Sequence, residues 1–120
     1  MADRTRISYF LPLTNPYDQA AYLRTLDHLS NPQPVADGRL SVGGFTVSSS
    51  DPPVFTGFYW SDEQQIWIQD LIAILFVDLP ASGQVRAIAG EMKAAVARFY
   101  AEEGSPQEEI WCTLEDIDVI

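Results

Sequence analysis

The chain has a single cysteine, a single histidine and only seven basic residues, and each shortage closes off a class of chemistry. One thiol, Cys112, permits no internal disulfide and fits a reducing compartment. The histidine, His28, lies 84 positions from that cysteine. Catalytic triads and zinc sites need a histidine with partners at defined spacing, and none is present. Gly43-Gly44 is followed by neither the lysine of a phosphate loop nor GxGxxG spacing. The most apolar run, Leu71 to Val77, is seven residues long, whereas a bilayer-spanning helix needs about 20. Arg4, Arg6 and Ser8 interrupt the first apolar residues, so no secretory leader is legible. The expectation is a soluble, cytoplasmic protein with no cofactor and no contact with membranes.

The shortage of bases is lopsided. Seventeen acids against seven bases give a net charge of −10. Residues 1–60 contribute −1 and residues 61–120 contribute −9, and from Glu102 to Ile120 there are seven acids and no base. Such a surface repels phosphates, which disfavours direct binding of nucleic acid. It keeps the protein soluble, and it attracts a basic protein surface.

What is present is an alternation of strand and helix patterns, expected to form one domain over residues 1–120. Arg6 to Leu13 places Ile7, Tyr9 and Leu11 on one face of a strand, with Pro12 near its end. Asn15 is a good N-cap and Pro16 a good first helical residue, and Asp18 suits the first turn. A helix then runs to about Leu29, with Tyr22, Leu23, Leu26 and Leu29 expected to be buried. Leu40 to Ser48 is weakly strand-like, with a bulge or bend at Gly43-Gly44. Val54 to Trp60 is rich in aromatic and β-branched residues and reads as extended, and Ser61 to Gln65 is a connection of hairpin length.

Ile66 to Pro80, IWIQDLIAILFVDLP, is apolar on both strand parities. Ser61 with Gln64 matches a helix capping box, so a helix over 62–79 competes. Isoleucine, valine and aromatic content favours a strand. Val85, Ile88, Ala89, Met92, Val96, Phe99 and Tyr100 then mark a helix with Ser82 as cap and Gly104 as stop. Glu109 to Leu114 is a last strand, with a bulge or the end of pairing expected near Ile117 and Val119.

The order β-α-β-β-α-β implies an α+β, ferredoxin-like fold, a four-stranded antiparallel sheet with both helices on one face. Helices on one side leave the other face of Leu71 to Val77 uncovered. The surplus of apolar side chains is expected to meet a second copy, a partner or a ligand, with a sheet-to-sheet homodimer as the leading case.

Three stretches, Gly43 to Thr46 (GGFT), Gly57 to Trp60 (GFYW) and Gln107 to Trp111 (QEEIW), resemble those of a group of small bacterial proteins that look ferredoxin-like. The resemblance supports the fold and implies no activity. Dimeric α+β-barrel monooxygenases are similar in architecture alone, and no catalytic motif of theirs is matched.

Candidate site residues follow from chemistry. Asp70 and Asp78 bracket the apolar strand, and an inward Asp70 needs a partner such as Arg6 or Arg39. Glu108, Glu109, Glu115, Asp116 and Asp118 form an acidic edge that matches no calcium-loop spacing, so no metal site is expected. Phe55, Phe58, Tyr59, Trp60 and Trp67 gather at the hairpin as core or as a partner surface. His28 reads as a cation at a helix C-terminus and Cys112 as a small hydrophobe. The expected function is an acidic interaction module, homodimeric and meeting a basic protein, without catalytic residues. The alternative is a cofactor-free enzyme or small-molecule binder whose pocket is lined by Tyr9, Trp60, Trp67 and Phe99.

Overall fold

The computed structural model describes residues 3–30, 46–47 and 55–120. The elements are β1 (Arg4–Pro12), α1 (Pro16–Ser30), β2 (Thr46–Val47), β3 (Phe55–Ser61), β4 (Ile66–Pro80), α2 (Val85–Glu102) and β5 (Trp111–Ile117). Pairing is antiparallel throughout, in the order β2-β4-β1-β5, with β3 also on β4. Leu75 and Phe76 face β1 on one side and β2 on the other, and Ile72 lies between Pro12 and Phe55. β2 and β3 therefore share the same edge of β4. Between Val47↔Leu75 and Phe55↔Ile72 one side advances eight residues and the other three. The two short strands occupy one position of a four-position sheet, broken by a five-residue excess. The fold is α+β and ferredoxin-like. Gly43-Gly44 and Arg39 lie outside the described residues.

The apolar run is a strand, as its β-branched composition favours. Its odd-numbered side chains Leu75, Val77 and Leu79 join Ile7, Tyr9 and Leu11 of β1 beneath the two helices, and Ala73 is buried as well. Val85, Ile88, Ala89, Val96 and Tyr100 close this core from α2, and Ala21 and Leu29 from α1. Each valine, leucine or isoleucine among them contributes about 1.5–3 kcal/mol when taken out of water. The two largest fully buried residues satisfy their hydroxyls. Tyr9 donates to the Ala89 carbonyl at 2.9 Å and Tyr100 to the Pro12 carbonyl at 2.8 Å.

Helix ends follow local chemistry. Asn15 Oδ1 accepts the Asp18 amide at 2.9 Å, the N-cap bond that the sequence implies. The buried stripe of α1 is Asp18, Ala21, Thr25 and Leu29, flanked by Tyr22 and Leu26. Leu23 instead faces out at 58% exposure, because it falls on the far side of that stripe. Ser82 does not cap α2. It forms a turn ahead of the helix, accepting the Gln84 amide, and Gln84 takes the cap position without a side-chain capping hydrogen bond. Gly104, at φ 91°, ends α2, where Ser105 N donates to the Tyr100 carbonyl at 2.9 Å.

On the open face, Arg6 grips Asp78 with two hydrogen bonds of 2.8 and 3.0 Å and lies over the Phe76 ring at 4.8 Å. Phe10, Ile72, Ile74 and Phe76 are half-buried there. The uncovered apolar surplus at the sheet centre is thus smaller than the sequence implies. β5 pairs with β1 in one register from Phe10↔Trp111 to Arg4↔Ile117, so pairing ends there without a bulge.

The Ser61-x-x-Gln64 signature caps a hairpin turn and not a helix. Ser61 Oγ accepts the Gln64 amide at 3.1 Å, and Gln65 closes the turn in the left-handed region at φ 57°. Gly104→Ala is expected to destabilise by about 1 kcal/mol from backbone strain. The added Cβ would meet only Tyr17, at an ordinary 3.7 Å. Gln65→Gly is expected to be neutral or to stabilise by up to about 1 kcal/mol through the same preference. Denaturant titration of both variants checks that the two signs differ.

Candidate functional site: an acidic, aromatic cleft beside the β3–β4 ribbon

β4 has fifteen residues and β1 pairs with its last nine. Residues 66–71 run past β1 and, among the described strands, pair with β3 alone, forming a two-stranded ribbon. The ribbon bears Phe58, Trp60, Ile66 and Trp67, all exposed, with Trp60 and Trp67 meeting edge to face at 5.8 Å. Where β1 stops, Leu13 and Thr14 keep hold of β4. Leu13 N donates to the Leu71 carbonyl, and Thr14 Oγ1 accepts the Leu71 amide at 3.0 Å while donating to Asp70 Oδ1 at 2.8 Å. Asp70 therefore has a threonine partner, and Arg6 is committed to Asp78.

A second wall comes from the segment between α2 and β5. Asp18 is buried, and its Oδ2 accepts the Thr14 amide at 3.0 Å. Its Oδ1 accepts from the Ser105 hydroxyl and, at 3.4 Å, from Gln107 Nε2. Glu108 accepts a hydrogen bond from the buried Ser61 hydroxyl, which ties this segment to the ribbon tip. Glu109 pairs with Lys93 of α2. A helix N-terminus thus sets one end of the segment, and a turn serine sets the other.

Between the walls is a cleft of about 730 Å³. Its aromatic lining is Phe10, Phe58, Tyr59, Trp60, Trp67 and Trp111, so it holds all three tryptophans of the chain. Among the described residues, its charged lining is Asp62, Asp70, Glu108 and Glu109, with no basic side chain. Burial pushes the Asp70 carboxyl up from its ordinary 3.8, and the neighbouring Asp18 adds to the rise while the Thr14 bond opposes it. Burial likewise raises the Tyr59 phenol, assisted by the charges of Asp70, Glu108 and Asp18. These groups share one electrostatic neighbourhood, in which a cation is favoured. Among the described residues, no three His, Cys, Asp or Glu side chains form a group able to hold a metal ion.

Of the residues singled out from sequence, Trp60, Trp67, Asp70, Glu108 and Glu109 come together here. Tyr9 and Phe99 do not. Tyr9 is sealed in the core, with Cys112 beside it, and burial raises both groups. Phe99 is covered by Arg24 and Arg98 and meets His28 edge-on at 5.4 Å. A shared pocket of Tyr9, Trp60, Trp67 and Phe99 is therefore not formed. Glu115, Asp116 and Asp118 lie along and beyond β5, outside the cleft lining, where Asp116 accepts from Thr5. Sequence reasoning missed Phe10, Asp62 and Trp111 as lining. Trp111 had a usable signal, since its strand parity opposes that of buried Ile110 and half-buried Cys112.

Asp70 generates a stability prediction. A carboxyl whose folded pKa lies above its unfolded value costs stability as pH rises from the unfolded to the folded pKa. Asp70→Asn keeps the Thr14 bond and removes that cost. The stability of the variant relative to the parent is expected to improve as pH rises through the window just above 3.8, and to stay level at higher pH. Denaturant midpoints across pH 3 to 7 check it; a difference that moves the other way contradicts it.

No family model and no curated protein matches the chain. Among solved structures, a Bacillus cereus protein related to NIF3 aligns over 98% of this chain and 26% of its own, at 12% identity and a TM-score of 0.49. The chain spans about a quarter of the length of that protein.

Proposed function

We propose that the protein is an interaction module that holds a basic segment of a partner protein in the cleft beside the β3–β4 ribbon. One observation supports this most directly: among the described residues, six aromatic rings and four carboxylates line an open cleft with no basic side chain. Aromatic side chains supply the large contact areas that dominate binding energy at protein interfaces. Cations over their faces gain further attraction, about 0.5–2 kcal/mol each. The charge of −9 on residues 61–120 favours a basic partner at longer range as well. Glu115 and Asp116 on the neighbouring β5, with Asp118 just beyond it, discourage edge-to-edge pairing of two copies of that strand, since like charges would face one another. The binding role needs no catalytic group.

Titration with poly-arginine or poly-lysine, followed by tryptophan emission, tests the proposal. Emission is expected to shift, and affinity to fall steeply between low and physiological salt. Trp67→Ala or Trp111→Ala is expected to weaken binding by about 1–2 kcal/mol, since aromatic anchors carry such energies. Binding that is indifferent to salt and to both substitutions contradicts the proposal.

A further inference from the structure

Resting on that basic-partner proposal, we infer that the cleft seats the ammonium group of one lysine side chain against Asp70, with the indoles around its alkyl stem. Asp70 is the cleft carboxylate whose state fits this task. It alone of the four is half-buried, Asp62, Glu108 and Glu109 being exposed, and Glu109 is already paired with Lys93. Asp70 gives Oδ1 to Thr14, and its Oδ2 takes no hydrogen bond from any described residue. The carboxylate is half-buried, so a counter-ion that reaches it restores the solvation it has lost.

The occupancy of its two oxygens favours one cation over the other. A guanidinium binds best when both oxygens of a carboxylate are free for its planar fork. At Asp70 one is free and the other already accepts from Thr14. An ammonium is a compact charge with three rotatable donors and needs no fork. Tyr59, which also lines the cleft and stands in the field of Asp70, offers a phenolic oxygen as a second acceptor. The apolar stem of lysine suits contact with Trp60, Trp67 and Trp111, and its charge faces their π-clouds. The single lysine of the chain, Lys93, is held by Glu109, so the seat is left for a lysine from elsewhere.

The test uses three glycine-spaced peptides of equal length, carrying lysine, arginine or acetyl-lysine at the same positions, against the intact protein. Tryptophan emission reports occupancy of the cleft, because all three tryptophans line it. The lysine peptide is expected to bind about tenfold more tightly than the arginine peptide, and acetylation to abolish binding. Asp70→Asn is expected to cost the lysine peptide about tenfold, while Asp118→Asn, outside the cleft lining, costs less than about threefold through long-range charge alone. A cooperative transition at pH 7 with a midpoint no lower than the parent's would show that Asp70→Asn leaves the fold intact. Equal binding of the lysine and arginine peptides with Asp70→Asn silent overturns the lysine seat and leaves the basic-partner proposal standing. Failure of both basic peptides to bind overturns the two together.

Discussion

A mismatch of strand lengths governs this molecule. β4 is fifteen residues long, and β1 can pair with nine of them. The paired part builds the domain: its inward side chains fill the core beneath both helices, and burial there supplies the main driving force of folding. The unpaired part must find hydrogen-bond partners elsewhere, because an isolated extended backbone leaves its amides and carbonyls open. It finds them in β3 on one edge and in Leu13 and Thr14 at its root. The outcome is a ribbon whose aromatic side chains no helix among the described residues covers.

The cleft depends on that ribbon and on a second constraint, the placement of residues 105–109. Asp18 does two jobs here. As a residue of the first helical turn it accepts the Thr14 amide, and its other oxygen reaches Ser105 and Gln107. A carboxylate buried this deeply is tolerable only because its oxygens are satisfied. Ser61 is similarly economical. Its hydroxyl accepts an amide within the hairpin turn and donates to Glu108 across the cleft. The site thus rests on three turn-type interactions made by Thr14, Asp18 and Ser61, none of which is itself the binding surface.

Much of the fold was legible because it rests on local rules. The N-cap at Asn15, the stripe of α2 and the stop at Gly104 are helix-end and periodicity signals, and the structure uses each. The β-branched content of Ile66 to Pro80 outweighed a capping signature at Ser61 that proved to serve a turn. Less could be read where the outcome is tertiary. The surplus of apolar side chains was apparent, but its position was not. Pairing with β1 fixes which residues of β4 overhang, and the open-face Phe10, Ile74 and Phe76 became half-buried while Phe58, Trp60 and Trp67 took the exposure. Tyr9 and Phe99 were grouped with the tryptophans on aromatic character, although inward parity and helix stripe already assigned both to the core. The Thr14–Asp70 contact joins residues 56 positions apart, and no local pattern foretells it.

The central claim is that the three tryptophans share one open, negatively charged cleft. Paired quenching with caesium and iodide ions at low ionic strength tests it most directly. With each ion's quenching constant scaled to that of N-acetyltryptophanamide, caesium should exceed iodide. The excess should shrink in salt and in Asp70→Asn. Iodide quenching at or above caesium on the same scale, or emission shielded from both ions, would contradict the account.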